Sequence, residues 1–185
     1  SEMMKVLVLG MDGLNPALTF RLVSEGKLPT LAGLIKRGVS GSLRSTIPPY
    51  SLVAWTSFMT GREPGGHGVF TNLSFKKGSY ERKINNASDV AAPNFWEFLG
   101  KAGKRCLVFS VFNTYPVKPV NGLCIAGYVA PNEEVDFTCP KELKQEIMKK
   151  FGYRLHAENP KEFYAKKQHQ ELIGMWCDRM DRKVS

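Results

Sequence analysis

Residues 45–72 read STIPPYSLVAWTSFMTGREPGGHGVFTN, and this stretch decides how the chain is organised. Pro48 and Pro49 hold the backbone extended just before Ser51, and an apolar run follows. This pattern predicts that a helix begins at Ser51 and ends near Gly61. The predicted helix is apolar nearly all round, which indicates a buried helix, and its large side chains are Leu52, Val53, Trp55, Phe58 and Met59. Burial of the helix would fix the direction in which Ser51 points.

Ser51 has two possible roles at the start of this helix. Its hydroxyl could cap the backbone N–H groups of the first turn, which have no partner within the helix. The same N–H groups and the positive end of the helix dipole also attract phosphate or sulfate. A hydroxyl at this position could therefore attack a phosphorus atom whose oxygens are held by the helix.

Asp12 is the second candidate residue. Residues 5–9, KVLVL, form a short apolar run that predicts a central parallel strand buried on both faces. Asp12 follows at the carboxyl end of that strand, where ligands gather in open α/β sheets. Its carboxylate suits a metal cation, although a turn or capping role beside Gly13 is the alternative. The GMDG sequence at 10–13 is not a nucleotide-binding turn, because the GxGxxG and P-loop patterns are absent.

These motifs together resemble the amino-terminal part of a type I phosphodiesterase or nucleotide pyrophosphatase, in the alkaline phosphatase superfamily. Members carry an Asp-Gly after the first strand, a Ser or Thr nucleophile nine residues before a Thr-Gly, and a Pro-x-x-His-Gly turn. Here Asp12 precedes Gly13, Ser51 stands nine residues before Thr60, and PGGHG occupies 64–68. The resemblance covers roughly residues 4–130 and is specific over 5–72.

The resemblance implies a metal-dependent hydrolase of phosphodiester or pyrophosphate bonds. Asp12 would bind one of two divalent ions, expected to be zinc with manganese as an option. Ser51 would be the metal-bound nucleophile, phosphorylated during the reaction by a small substrate such as a nucleotide. Asn72 falls where an amide holds a phosphate oxygen, or it is an ordinary loop asparagine. The resemblance makes His67 a structural turn residue rather than a metal ligand, the role that imidazole would otherwise suggest.

The remaining ligands of a two-metal centre are absent from the sequence. Such a centre needs roughly six or more protein ligands, usually Asp and His, and the family draws most of them from later segments. The chain has no Asp-His-Gly and no Asp-x-x-x-His. We therefore expect a fragment of a longer enzyme, with a natural truncation as the alternative, that binds metal poorly and turns over little or nothing.

Other functions stay open. Within the superfamily, a phosphomonoesterase is possible, whereas a sulfatase lacks its Cys/Ser-x-Pro-x-Arg signature here and a phosphoglycerate mutase differs around its nucleophile. A catalytically silent domain that binds an anionic ligand or serves in assembly is the alternative from another class. The net charge of +9 does not predict a nucleic-acid polymer as partner, because the basic residues are spread along the chain.

The order of predicted elements indicates an α/β fold that is alkaline-phosphatase-like, with a mostly parallel sheet and helices on both faces. Residues 1–135 would be the amino-terminal part of the catalytic core. Residues 136–185 would be a helical segment that begins a substrate-shaping insertion. The predicted helices start near 16, 28, 51, 93, 141 and 160, and the predicted strands cover 5–9, 39–46, 69–75, 80–84, 105–112 and 123–128.

Composition places the chain among soluble globular proteins. Its 185 residues suffice for one buried domain, and 43% of them are hydrophobic. No apolar run reaches the length of about 18 residues that a membrane span needs, so we expect a cytoplasmic protein without membrane contact. The four cysteines lack zinc-finger spacing, and we expect Cys106 and Cys124 to be buried, reduced thiols.

Overall fold

The computed structural model describes residues 5–155. Over these residues the chain contains both helices and short strands, so the α/β class is confirmed. The chain divides into two compact units, Ser1–Ser45 and Thr46–Ser185. The predicted boundary between residues 135 and 136 stays a prediction.

The first unit contains two helices, as predicted. Helix α1 spans Pro16–Ser24, and the side chain of Asn15 caps it by accepting a hydrogen bond from the Leu18 N–H at 3.0 Å. Helix α2 spans Pro29–Arg37 and ends at Gly38. Both helices begin with proline at the first helical position, where its missing N–H costs nothing.

The two strands predicted in this unit, 5–9 and 39–46, are not seen in the structure. The apolar side chains from Val6 to Leu9 are all more than half exposed. A strand is stabilised by the ladder it forms with a neighbour, and residues 5–45 contain no other strand that could supply one. The apolar pattern of 5–9 is therefore not sufficient by itself to form a strand.

The second unit opens with the predicted buried helix. Helix α3 spans Ser51–Thr60 and ends at Gly61, whose left-handed backbone (φ 64°) forms the C-cap. The short helix α4, Pro64–His67, turns the chain back. An antiparallel hairpin follows, in which β1 (Leu73–Phe75) pairs with β2 (Arg82–Ile84) in the register Leu73 to Ile84. Residues 76–81 connect these two short strands.

The rest of the second unit surrounds a three-stranded sheet. Its elements are α5 (Phe95–Lys101), β3 (Cys106–Val111), β4 (Gly122–Ala126), β5 (Thr138–Cys139) and α6 (Leu143–Phe151). The strand order is β3-β4-β5, with β3 parallel to β4 and β5 antiparallel to β4. A short 3-10 helix, Ala87–Asp89, precedes α5.

The predicted sheet is confirmed only in part. The parallel pairing of β3 with β4 agrees with the prediction, but the connection between them over 112–121 contains no helix. A mostly parallel sheet with helices on both faces is not confirmed. Helix α6 begins the predicted helical carboxyl-terminal third, and the helix predicted from residue 160 lies outside the described residues.

The sheet has a hydrophobic cluster on each face. Cys124 and Ile125 are neighbours on β4 and point to opposite faces. Cys124 packs with Met59, Trp96 and Val108, so α3 and α5 cover that face. Ile125 belongs to the other cluster, which contains Ala126, Ala130, Phe137, Ile147, Tyr153 and Leu155. Helix α3 is therefore anchored to the sheet by its buried side.

The cysteine predictions are half right. Cys124 is buried, and burial, reinforced by the neighbouring Cys139 thiol, raises the pKa of Cys124 to about 12. Cys106 is only half-buried, because β3 is an edge strand of the sheet. Within the described residues, Cys106, Cys124 and Cys139 are free thiols.

Candidate active site

Ser51 is the exposed first residue of α3. The residue in the N-cap position is Tyr50, whose backbone is extended and whose side chain makes no capping hydrogen bond. Ser51 therefore does not occupy the capping position itself. The next two residues, Leu52 and Val53, are buried, so the helix is held in place immediately behind the Ser51 hydroxyl.

Asp12 lies in an exposed turn at the start of the first unit. Gly13 beside it has a φ of 70°, which glycine adopts without strain. Asp12 and Ser51 belong to different compact units. The binding of metal ions by these two side chains therefore stays a prediction.

Asn72 lies in an exposed bend that leads into β1. Its backbone carbonyl accepts a hydrogen bond from the Asn85 N–H at 2.9 Å, which closes the hairpin. Asn85 is buried, and its side chain bonds to Ser74 and to the Thr71 carbonyl. The backbone of Asn72 is thus fixed while its residue stays at the surface, and its role as a phosphate-binding amide stays a prediction.

His67 is fully buried and joins α4 to α3. Its Nδ1 accepts a hydrogen bond from the Val69 N–H at 3.1 Å, and its Nε2 lies 2.9 Å from the Ser57 hydroxyl. Burial lowers the pKa of His67, an effect that Glu63 partly opposes. These contacts support the structural role that the resemblance implies.

The His67 contacts also bear on Ser57, a second serine of α3. Because the Val69 N–H donates to Nδ1, a neutral His67 carries its proton on Nε2. Nε2 therefore donates to the Ser57 hydroxyl and has no lone pair to accept its proton. Ser57 is not activated as a nucleophile in this arrangement, which leaves Ser51 as the candidate serine of α3.

A cavity of about 520 Å³ lies in the second unit, and Tyr115 forms part of its wall. The other lining residues are Ile84, Asn86, Tyr128, Val129, Ala130 and Pro131. Ile84 lies on β2 and Asn86 follows that strand, whereas residues 128–131 follow β4. These segments are distant in sequence, so no local pattern could have grouped them.

Aromatic contacts connect the cavity to α3. Tyr128 packs against Phe112 with ring centroids 5.2 Å apart, and Phe112 stacks on Trp55 at 5.9 Å. Trp55 stands four residues after Ser51, and side chains at this spacing share one face of a helix. The wall of the cavity is thus linked by packed rings to the helix face that carries Ser51.

Comparison with protein families decides the relationship. The sequence model of the family described as type I phosphodiesterase / nucleotide pyrophosphatase matches residues 6–184. The chain belongs to this family. Comparisons with curated proteins and with solved structures gave no match. Family members are hydrolases that act on small nucleotide-like substrates and generally use divalent metal ions.

The described part of this phosphodiesterase-family chain does not by itself fit a two-metal centre. Residues 5–155 contain no group of three or more His, Cys, Asp or Glu side chains placed to hold one ion. Asp12 and Ser51 are oxygen donors of a suitable kind, but a catalytic metal typically has three protein ligands.

Within residues 5–155, no helix combines the length and the apolar content that a membrane span needs.

Proposed function

We propose that this chain carries the nucleophile of a hydrolase that cleaves phosphodiester or pyrophosphate bonds in small phosphorylated substrates such as nucleotides. The observation that carries the proposal is the position of Ser51 in a chain of this family. Ser51 is exposed at the first position of α3, and the buried side of that helix is packed against the sheet. An exposed hydroxyl on a fixed helix end is what in-line attack on phosphorus requires.

The proposed reaction has two steps. The Ser51 Oγ forms a bond to phosphorus and releases its proton to solvent, while the bond from phosphorus to the leaving oxygen breaks with the electron pair on that oxygen. Water then attacks the same phosphorus, the bond from phosphorus to Oγ breaks with its electron pair on Oγ, and Oγ regains a proton from solvent as the phosphoryl product leaves. The positive end of α3 favours the negative charge on the phosphoryl oxygens in both steps. Asn72 is proposed to donate a hydrogen bond to one of these oxygens.

We propose that the cavity binds the organic part of the substrate, on either the leaving group or the group that stays on phosphorus. Its volume of about 520 Å³ falls within the range of small-molecule sites. Tyr115 and Tyr128 offer aromatic surface, and Asn86 offers an amide that can donate and accept hydrogen bonds. This combination suits a planar group such as a nucleobase, and its ring contacts to Trp55 lead toward the helix that carries Ser51.

We also propose that the enzyme uses two divalent ions, zinc or manganese, with Asp12 and Ser51 among their ligands. The support for this proposal is the family relationship and the oxygen chemistry of the two side chains. The other ligands would come from outside residues 5–155. A cytoplasmic location remains part of the proposal.

The test is an assay of the full-length protein on aryl phosphodiester and aryl phosphomonoester substrates with added zinc or manganese. The Ser51→Ala variant is expected to lose at least about 1,000-fold in kcat, because no nucleophile remains to form the covalent intermediate. Ser57→Ala is the matched control on the same helix and should retain activity. Equal activity in Ser51→Ala and the unmodified protein would remove Ser51 from the mechanism.

The same assay separates the competing functions. Faster hydrolysis of the monoester than of the diester would favour a phosphomonoesterase. No turnover by the full-length protein on either substrate, with phosphate binding retained, would favour a silent anion-binding or assembly domain. The exposed start of α3 is compatible with binding an anion in either case.

A further inference from the structure

A buried polar pair joins the end of β3 to the first turns of α3. Asn113 and Thr56 are 1% and 0% exposed, respectively, and are 57 residues apart in sequence. The Asn113 side-chain amide donates to the Thr56 hydroxyl at 3.0 Å, and the Thr56 hydroxyl donates to the Leu52 carbonyl at 2.6 Å. Leu52 directly follows Ser51. A chain of two hydrogen bonds therefore runs from the sheet to the residue behind the candidate nucleophile.

The directions of both bonds are fixed by the number of protons available. A carbonyl oxygen only accepts, so the single hydroxyl proton of Thr56 is used toward Leu52. The Thr56 oxygen must then accept from Asn113, and only the NH₂ side of the Asn113 amide can donate. Neither group can reverse its bond without breaking the other one.

Two features of Asn113 lower the stability of the folded chain, which indicates that stability alone does not account for this residue. Its backbone is left-handed, with a φ of 58°, and its Oδ1 atom is buried without a hydrogen-bond partner among the described residues. A strained backbone and an unpaired buried acceptor both cost free energy. Such costs are found where a side chain must be held in one orientation for function.

We infer that Asn113 is a positioning residue for Ser51, acting through Thr56 on the first turn of α3. A Thr hydroxyl bonded to the carbonyl four residues earlier bends a helix slightly. The Asn113 amide holds Thr56 in that bonded state and so sets the direction of the first turn. The inference concerns the site of the proposed function, and it rests on that proposal for its catalytic meaning.

Thr60 provides a matched control within the same helix. Its hydroxyl donates to the Thr56 carbonyl at 2.8 Å, so it makes the same kind of bond one turn later. Thr60 is also buried, at 9% exposure. Thr60→Val removes an equivalent hydroxyl without touching the bond to Asn113.

The first experiment uses a thiol as a reporter and needs no enzymatic activity. In a Ser51→Cys protein, iodoacetamide alkylation is followed by mass spectrometry on the peptide that contains residue 51, so that the four native cysteines do not contribute. Its pH dependence gives the pKa of the thiol at position 51, which the helix end should hold below its usual value of about 8.5. Adding Thr56→Val should raise that pKa by about 0.5 to 1 pH unit, because the first turn is no longer aligned with the thiol. Thr60→Val should leave it unchanged, and Thr56→Ser should preserve it.

An unchanged pKa at position 51 in the Thr56→Val protein, or an equal rise with Thr60→Val, would overturn the inference. Circular dichroism checks that each variant is folded. If Thr56→Val does not fold, Asn113→Gly takes its place, because glycine adopts a φ of 58° without strain and lacks the side-chain amide that donates to Thr56. The same shift is expected for Asn113→Gly, and its absence would equally overturn the inference.

The second experiment measures kinetics of the full-length protein. Thr56→Val should lower kcat by about tenfold while KM stays within about twofold, because a misdirected nucleophile affects the chemical step more than binding. Thr56→Ser should restore kcat. If Ser51→Ala retains activity, the proposed function fails while the thiol experiment still tests the coupling. If Ser51→Ala is inactive but Thr56→Val has normal kcat, only the positioning role fails.

Discussion

At the scale of single residues, His67 shows how a reactive side chain can be committed to structure. Both ring nitrogens of His67 are within hydrogen-bond distance of protein groups, and the ring is fully buried. Protonation would place a second proton on Nδ1, which faces the Val69 N–H donor. The folded state therefore favours the neutral ring, in agreement with its lowered pKa.

This arrangement predicts a dependence of stability on pH. The pKa of His67 is lower in the folded chain than in the unfolded chain, where it has the ordinary histidine value of about 6.5. As the pH falls below 6.5, the unfolded chain therefore binds more protons at His67 than the folded chain does. The free energy of unfolding should fall with decreasing pH, by at most about 1.4 kcal/mol for each pH unit below 6.5. The contribution is fully present above pH 6.5 and is lost as pH falls through the folded pKa.

The measurement is urea denaturation of the unmodified chain and of His67→Gln at several pH values between 5 and 6.5. Carboxylates titrate mostly below this range and contribute little to the slope. The slope of the unfolding free energy with pH should be smaller in His67→Gln. Identical slopes in the two proteins would show that His67 stays protonatable in the folded state.

At the level of secondary-structure elements, the pairing of β3 with β4 depends on the close approach of two backbones at the carboxyl ends of the strands. The parallel strands converge where Gly127 follows β4, and a Cβ atom added at Gly127 would lie 2.2 Å from the Val111 carbonyl oxygen. The Gly127 N–H also donates to the Thr114 hydroxyl at 3.0 Å. Only glycine allows this approach without a backbone shift.

Gly127→Ala should therefore destabilise the chain by about 3 kcal/mol or more, since the backbone must move to relieve the clash. Gly65→Ala is the matched control, because a Cβ atom at Gly65 in α4 meets no atom within 4 Å. The control should change stability by less than about 0.5 kcal/mol. Urea denaturation of the two variants beside the unmodified chain measures both values, and a similar small effect at both positions would contradict the described packing.

Helix α3 is the element on which the sequence and the structure agree most fully. The prolines before it, the apolar run within it and Gly61 after it are local signals, and the structure ends the helix at the predicted glycine. The pair of Thr56 and Asn113 that anchors this helix left no such signal. Two ordinary polar residues 57 positions apart become partners only when β3 lies beside α3.

At the level of the whole molecule, the described residues offer fewer candidate metal ligands than a two-metal centre of this family would need. A two-metal centre needs roughly six protein ligands, and residues 5–155 contain no cluster of even three candidate side chains. Asp12 is the single predicted carboxylate ligand. Because the sequence also lacks Asp-His-Gly and Asp-x-x-x-His, we predict that the chain of 185 residues binds divalent metal weakly.

Equilibrium dialysis of the 185-residue chain against zinc measures this directly. We expect less than one tightly bound ion per chain, with little change in Asp12→Asn. Free thiols also bind zinc, so the comparison is repeated after thiol alkylation. Tight binding of two ions by the alkylated chain would show that its own side chains complete the centre.

The family was predictable from three local motifs, GMDG, Ser51 with Thr60, and PGGHG, and so were the approximate starts of five helices. Those features depend on proline, glycine and apolar spacing, which act within a few residues. Four features became visible only in the folded chain: the partners of the strands, the exposed state of residues 5–9, the cavity at Tyr128 and the bond from Asn113 to Thr56. These features join residues far apart in the chain, and local backbone preferences do not specify which distant groups meet.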